Sequence, residues 1–398
     1  MKKNYLLAGS LAFSILLSKA QTTDASQFQV NEFQLDAVYN HYLQEGENSA
    51  VTGGIGTERL TIYGPSVSTK RKVGKNQIDF TLGSDIISSA STDRIDDTYS
   101  SASRLDARTF SNLAYTRTLE KAKLDINIGL SGSIESDYFS FGKHLGVTKT
   151  SKDDMQTYSL QAQIFNDDLR WGRLDGNGFK PEMLIYPEEL RFQEWYDVYK
   201  RDSYNLNLGF TQIIDQKNTI GLFSQLSYQK GLLATPFHRI IFNDNSRAVE
   251  QLPEERYKGA LAAKWNTFVG GRYIVKSTVS GYADDFGIIG FTIENETAIK
   301  VNPQWTFAPN IRWYSQSASR YFKGFQEHDP DDRFYTSDYD LSKFTTYNLG
   351  LAIVHRSLKA QNWNLGEFTF RYTYYHRSND LEAHIISTIF TFKTKKKP

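Results

Sequence analysis

Between residues 233 and 254 the chain gathers His238, Arg239, Asp244, Arg247, Glu250 and Glu254, and Arg256 follows closely. Guanidinium groups present forked donors that match a carboxylate or a phosphate. A loop folded inward here would let Arg239 and Arg256 grip one anion, with His238 beside them. The alternative is a structural loop, stiffened by Pro236 and Pro253, whose arginines pair with local acids. A second cluster, His328-Asp329-Pro330-Asp331-Asp332, offers Ca²⁺ the hard oxygens it favours through Asp329, Asp331 and Asp332. It lacks EF-hand spacing, so solvated loop acidity is the simpler reading. The seven histidines are dispersed, with no pair at ligand spacing, which argues against zinc. There is no Gly-x-Ser-x-Gly elbow and no glycine-rich phosphate loop. No cofactor is implied, and an enzyme is not expected.

The elements that must position these groups follow from export and composition. Met1 to Ala20 reads as a secretory signal peptide: Lys2 and Lys3, an apolar stretch from Tyr5 to Leu17, and a small-residue end at Ser18-Lys19-Ala20. That stretch is shorter than the ~20 residues a spanning helix needs. Cleavage there removes three lysines and no acid, moving the formal charge from +1 to −2. Such a balance argues against a nucleic-acid partner. With no cysteine, disulfides, thiolate metal sites and a thiol nucleophile are excluded. Aromatic residues make up 14% of a chain whose mean hydropathy is −0.50. A membrane barrel reconciles the two, because one strand face meets lipid while the other meets water.

Period-2 alternation supports that architecture. Ile78, Phe80 and Leu82 oppose Asp79, Thr81 and Gly83, and Leu124, Ile126, Ile128 and Leu130 oppose Asp125, Asn127, Gly129 and Ser131. About sixteen such segments run from 33–44 to 382–394, among them 122–138, 153–165 and 168–176; without the last the count falls toward fourteen. Short connections at 73–75, 119–121, 166–167, 215–217, 268–271 and 301–303 follow even strands. Longer ones at 45–57, 91–103, 139–152, 177–196, 233–254 and 321–341 follow odd strands, with Asp285-Phe286 and 378–381 as short exceptions. Short periplasmic turns and long extracellular loops are the habit of outer-membrane barrels. The expected fold is therefore an all-β, antiparallel transmembrane β-barrel in the bacterial cell outer membrane. Its parts are the signal peptide (1–20), a periplasmic tail (21–32), the barrel (33–394) and a basic tail (395–398). Ile385 to Phe392 resembles the aromatic-ended last strand that outer-membrane assembly machinery recognises.

Strand parity places Arg272, Lys276, Glu294, Glu296, Arg312, Glu367 and Arg371 on the inner face. Mixed charge there would select solutes by sign and size, or would seal the lumen with ion pairs.

Thr235-Pro236-Phe237-His238-Arg239 and Leu252-Pro253-Glu254-Glu255-Arg256 carry a Pro-Phe-x-Arg and a Leu-Pro-x-x-Arg element. Tyr282-Ala283-Asp284-Asp285-Phe286-Gly287, Arg312 to Ala318 and Thr336 to Ser342 follow in order. Over about residues 230 to 345 this series resembles an uncharacterised, domain-of-unknown-function family of exported bacterial β-barrel proteins with those motifs and an Asp-Asp-aromatic-Gly turn. The resemblance implies an outer-membrane-type barrel of unassigned activity. It also implies the company of a small lipoprotein, a thioredoxin-like protein and a flavin transferase.

The leading expectation is a channel or transporter for an unidentified small solute, in contact with membrane lipid. A barrel scaffold for an envelope complex in redox or metal handling, with a small lipoprotein or periplasmic redox protein as partner, is the second. A membrane-embedded lipid hydrolase is the third.

Overall fold

A computed structural model describes residues 31–49, 52–89, 105–135, 138–169, 200–235, 238–357 and 365–396. Nine barrel strands come first: β1 Asn31–Gly46, β2 Leu60–Val73, β3 Asn76–Ser89, β4 Leu105–Leu119, β5 Leu124–Ile134, β6 Phe139–Thr150, β7 Gln156–Asp168, β8 Lys200–Ile213 and β9 Asn218–Gly231. A small hairpin, β10 Arg239–Ile241 with β11 Arg247–Val249, interrupts the series. The wall resumes with β12 Glu255–Val269, β13 Tyr273–Asp284, β14 Ile289–Lys300, β15 Trp305–Gln316, β16 Phe344–Arg356, β17 Leu365–Arg377 and β18 Leu381–Lys396. Among the described residues, sixteen strands pair antiparallel with their neighbours and close into one barrel. The seam is β1 against β18, in register from Asn31 opposite Lys396 to Gly46 opposite Leu381. Closure leaves no unpaired edge.

Alternation decides which face meets lipid. Ile78 and Leu82 on β3, Leu145 on β6, Leu226 on β9, Leu261 on β12 and Leu349 on β16 all point outward and are all exposed. Continuous apolar exposure of this extent is a liability in water and is what a hydrocarbon core demands. Near the long-connection end, Tyr204, Tyr228 and Tyr257 stack across three adjacent strands with ring centroids 6.0 and 4.7 Å apart, an interfacial aromatic girdle. Inside, small residues let polar neighbours through: a Cβ on Gly129 would lie 2.2 Å from the His144 ring, whose Nε2 instead reaches Asn127 Oδ1 at 2.7 Å.

Two expectations fail together. Residues 139–152 were expected to be a long loop, yet Phe139–Thr150 is β6, its outward set Phe139, Phe141, Leu145 and Val147 interrupted by Lys143. Asn166-Asp167, expected as a turn, lies inside β7, with Asp167 opposite Arg201 on β8. Of the expected strand 168–176, Asp168 ends β7, and residues from 170 lie outside the described ones, as do 91–103 and 177–196. One omission and one displacement cancel, so the even count survives. β18 also extends through Lys396, which brings Lys395 and Lys396 opposite Glu32 and Asn31.

Candidate functional site

The inner wall carries a charge relay. Lys276 Nζ on β13 donates to Glu296 Oε1 on β14 at 2.9 Å. Both terminal nitrogens of Arg371 reach Glu296 Oε2 at 3.2 Å, although two strands separate β14 from β17. Arg371 lies opposite Ala352, which lies opposite Ala308, so two small residues stand between the guanidinium and the row of Glu296. These side chains stay open to solvent, at 32% for Lys276 and 41% for Arg371, so water reaches the relay. Glu367 accepts from Arg356 Nε at 2.7 Å towards the short-turn end. Arg272, expected on the inner face, instead sits in the turn between β12 and β13, where its Nε donates to the Lys300 carbonyl at 3.1 Å. Glu294 and Arg312 are opposite each other in register but form no ion pair.

At the opposite end, described residues of several connections pack together. Tyr138, Leu169, Leu232, Ala234, Leu252, Phe286, Ile288 and Leu341, drawn from five connections, share one apolar core. Tyr282, on the inner face of β13, packs against it, so this cap enters the barrel mouth. Beside the core, Glu250 is almost completely buried. One of its oxygens accepts from Thr336 Oγ1 at 2.5 Å, the other accepts from the Thr235 amide, and His238 Nδ1 stands 3.6 Å away. The carboxylate thus ties the 232–254 connection to the 317–343 connection, which also meet at Phe242 with His328 and at Gln251 with Tyr335.

Arg239 is buried on β10. Arg256 is held to the wall: its Nε donates to Asp284 Oδ2 at 3.1 Å, a second nitrogen donates to the same oxygen, and its guanidinium lies 4.4 Å from the Phe286 ring centre. Asp284 also accepts from Tyr282 Oη at 2.7 Å and from the Ile288 amide at 2.9 Å. Arg256 is thus engaged by an acid of the neighbouring strand, 28 positions along the chain. Pro236 and Phe237 lie outside the described residues. Asp329 and Asp332 accept hydrogen bonds inside the loop, and Asp331 takes part through its amide. Asp329 Oδ1 accepts from the Asp331 amide at 3.0 Å, and Asp332 Oδ2 accepts from Lys323 Nζ at 2.6 Å and lies 3.1 Å from His328 Nδ1. Among the described residues no group of three or more His, Asp or Glu side chains is placed to hold a metal ion. Lys323 first, then His328, holds the Asp332 carboxyl down at about 2. Two inner-face cations escaped the sequence reading, Lys258 and Lys264 on β12; extending the parity from Arg256 along that strand finds both.

Residues 90–387 match the family described as protein of unknown function (DUF3570). The chain belongs to that family. No curated protein matches its sequence. Among solved structures it is similar to Pseudomonas aeruginosa OccK1 (OpdK), at 8% identity and a TM-score of 0.42, over 92% of this chain and 99% of that one. It is similar also to a BenF-like porin from Pseudomonas fluorescens Pf-5, at 9% identity and 0.42, over 91% and 98%. For Pseudomonas aeruginosa OpdQ the values are 8% and 0.43, over 92% and 99%.

Proposed function

We propose that this DUF3570 member is exported by the signal at residues 1–20, inserts in the bacterial outer membrane and works as a channel for a small polar solute. The reading rests on the solvent access of the charged inner wall. Lys276 and Arg371 sit well inside their strands yet keep 32% and 41% of their side-chain area open. On the facing wall, Arg108 and Asp85 keep 29% and 27%. A lumen sealed by ion pairs would bury these groups; a water-filled one leaves them wet. Purified protein folded into planar lipid bilayers is expected to give stepwise ion conductance. Silent bilayers containing correctly folded barrel would overturn the reading.

A second reading draws on the cap. Its apolar core, with Phe286 at 1% exposure, packs described residues of five connections against one another. Such a rigid surface suits a scaffold that presents its loops to a small lipoprotein or other envelope partner. Co-purification of a stoichiometric partner from native membranes favours it, and a lone conducting barrel counts against it. Neither reading assigns a reaction to the barrel.

A further inference from the structure

Two neighbouring rows of the inner wall differ in one respect. The lower row, through Lys276, Glu296, Asn310 and Gly350, has its charges satisfied by the relay that Arg371 completes. The row above it runs Lys264, Thr278, Glu294, Arg312, Asn348 and Tyr375, each directly opposite the next on β12 through β17. None of its charged groups is paired. Arg312 Nε and Asn348 Oδ1 are both enclosed without a hydrogen-bond partner. A buried donor or acceptor left unmatched is destabilising. The two atoms lie side by side on adjacent strands, β15 and β16, within a row whose charges are left without ion pairs, and together they mark a place where a ligand could supply both matches.

The chemistry of the gap describes its ligand. Arg312 needs an acceptor, and its fixed fork favours a carboxylate over a spherical ion. Asn348 Oδ1 needs a donor next to that acceptor. Lys264, two strands beyond Glu294, adds positive charge, so the row carries two cations against one anion. We propose that the Arg312–Asn348 pair is the binding site of the channel for a small carboxylate with a hydroxyl or amino group on the adjacent carbon. The carboxylate sits on Arg312 within the field of Lys264, and its neighbouring donor meets Asn348. The proposal rests on the channel reading and gives that channel a substrate class and an anion preference.

Bilayers under a potassium chloride gradient test both levels separately. Silence from folded wild-type protein refutes the channel itself. If the barrel conducts, the reversal potential is expected to report anion preference, and millimolar glycolate is expected to reduce the current more than acetate. Arg312→Gln should abolish the anion preference and weaken the glycolate effect roughly tenfold, the equivalent of 1.4 kcal/mol. Arg312→Lys should keep the preference but lose the advantage of glycolate over acetate, because it restores charge without the fork. Conversion of the folded to the unfolded band on heating in detergent gels checks that each variant is a barrel. A conducting wild type that prefers cations, or one whose glycolate response survives Arg312→Gln in a folded barrel, overturns the assignment.

Discussion

Arg256 on β12 and Asp284 on β13 close the mouth end of one hairpin through a carboxylate that is completely buried, with Arg256 Nε donating to Oδ2 at 3.1 Å. The same carboxylate fixes Tyr282 and the Ile288 amide, so one acid holds the wall, the turn and the edge of the cap core. Asp284→Asn leaves the guanidinium without its counter-charge, and breaking a buried pair from one side costs about 3 to 5 kcal/mol. The midpoint of urea unfolding from lipid vesicles is expected to fall accordingly. The double variant Arg256→Met with Asp284→Leu should recover part of the loss, because it removes the stranded charge.

The lipid belt gives a second test. Leu261 on β12 is 61% exposed and points away from the lumen. Arginine there should destabilise the inserted barrel by roughly 2 to 4 kcal/mol if the residue lies near the bilayer midplane. Gln225 is on the inner face of β9, opposite Ala260. Gln225→Arg keeps its charge in water and should cost far less in the same vesicle titration. Equal costs would mean that the assigned faces are wrong.

The two faces could be read from sequence because strand parity is local: Ile78, Phe80 and Leu82 sort themselves from Asp79, Thr81 and Gly83 without knowledge of any partner. The same rule located Lys276, Glu296, Arg312 and Arg371. It failed at 139–150, where Lys143 stands on the lipid-facing side and Gly142 and Gly146 thin the strand signal, so a real strand looked like a polar insertion. It failed for Arg272 because that residue is the last of the turn, immediately before β13 begins at Tyr273. Which acid Arg256 meets, and that Glu250 joins two connections through Thr336, depend on pairings between distant segments. Periodicity carries no information about those.

The relay around Glu296 predicts a change in selectivity rather than in fold. Lys276 and Arg371 share one carboxylate, and both are partly wet, so exposed ion pairs of this kind add only about 0 to 1 kcal/mol. Glu296→Gln should therefore leave the unfolding midpoint nearly unchanged. It also leaves two uncompensated cations in the lumen, and the reversal potential should move toward anions. A shift toward cations would show that the relay does not face the conduction path.

Acid should loosen the 317–343 connection before it affects the wall. Lys323 and His328 hold Asp332 at about 2, below the 3.8 of an unpaired aspartate. The unfolded loop therefore binds more protons than the folded one between these values. The stabilisation from Asp332 is complete above about pH 4 and disappears as the pH falls through 2. The group lies near solvent, so the contribution is of the order of 1 kcal/mol or less, as for surface pairs generally. Hydrogen exchange of this connection should quicken between pH 4 and 2 in the wild type, while the amides of β12 to β15 stay protected. Asp332→Asn should exchange faster at neutral pH and lose that additional acid dependence. A variant with the wild-type acid slope would assign the loosening to another carboxylate, with the buried Glu250 at the centre of the cap the next to replace.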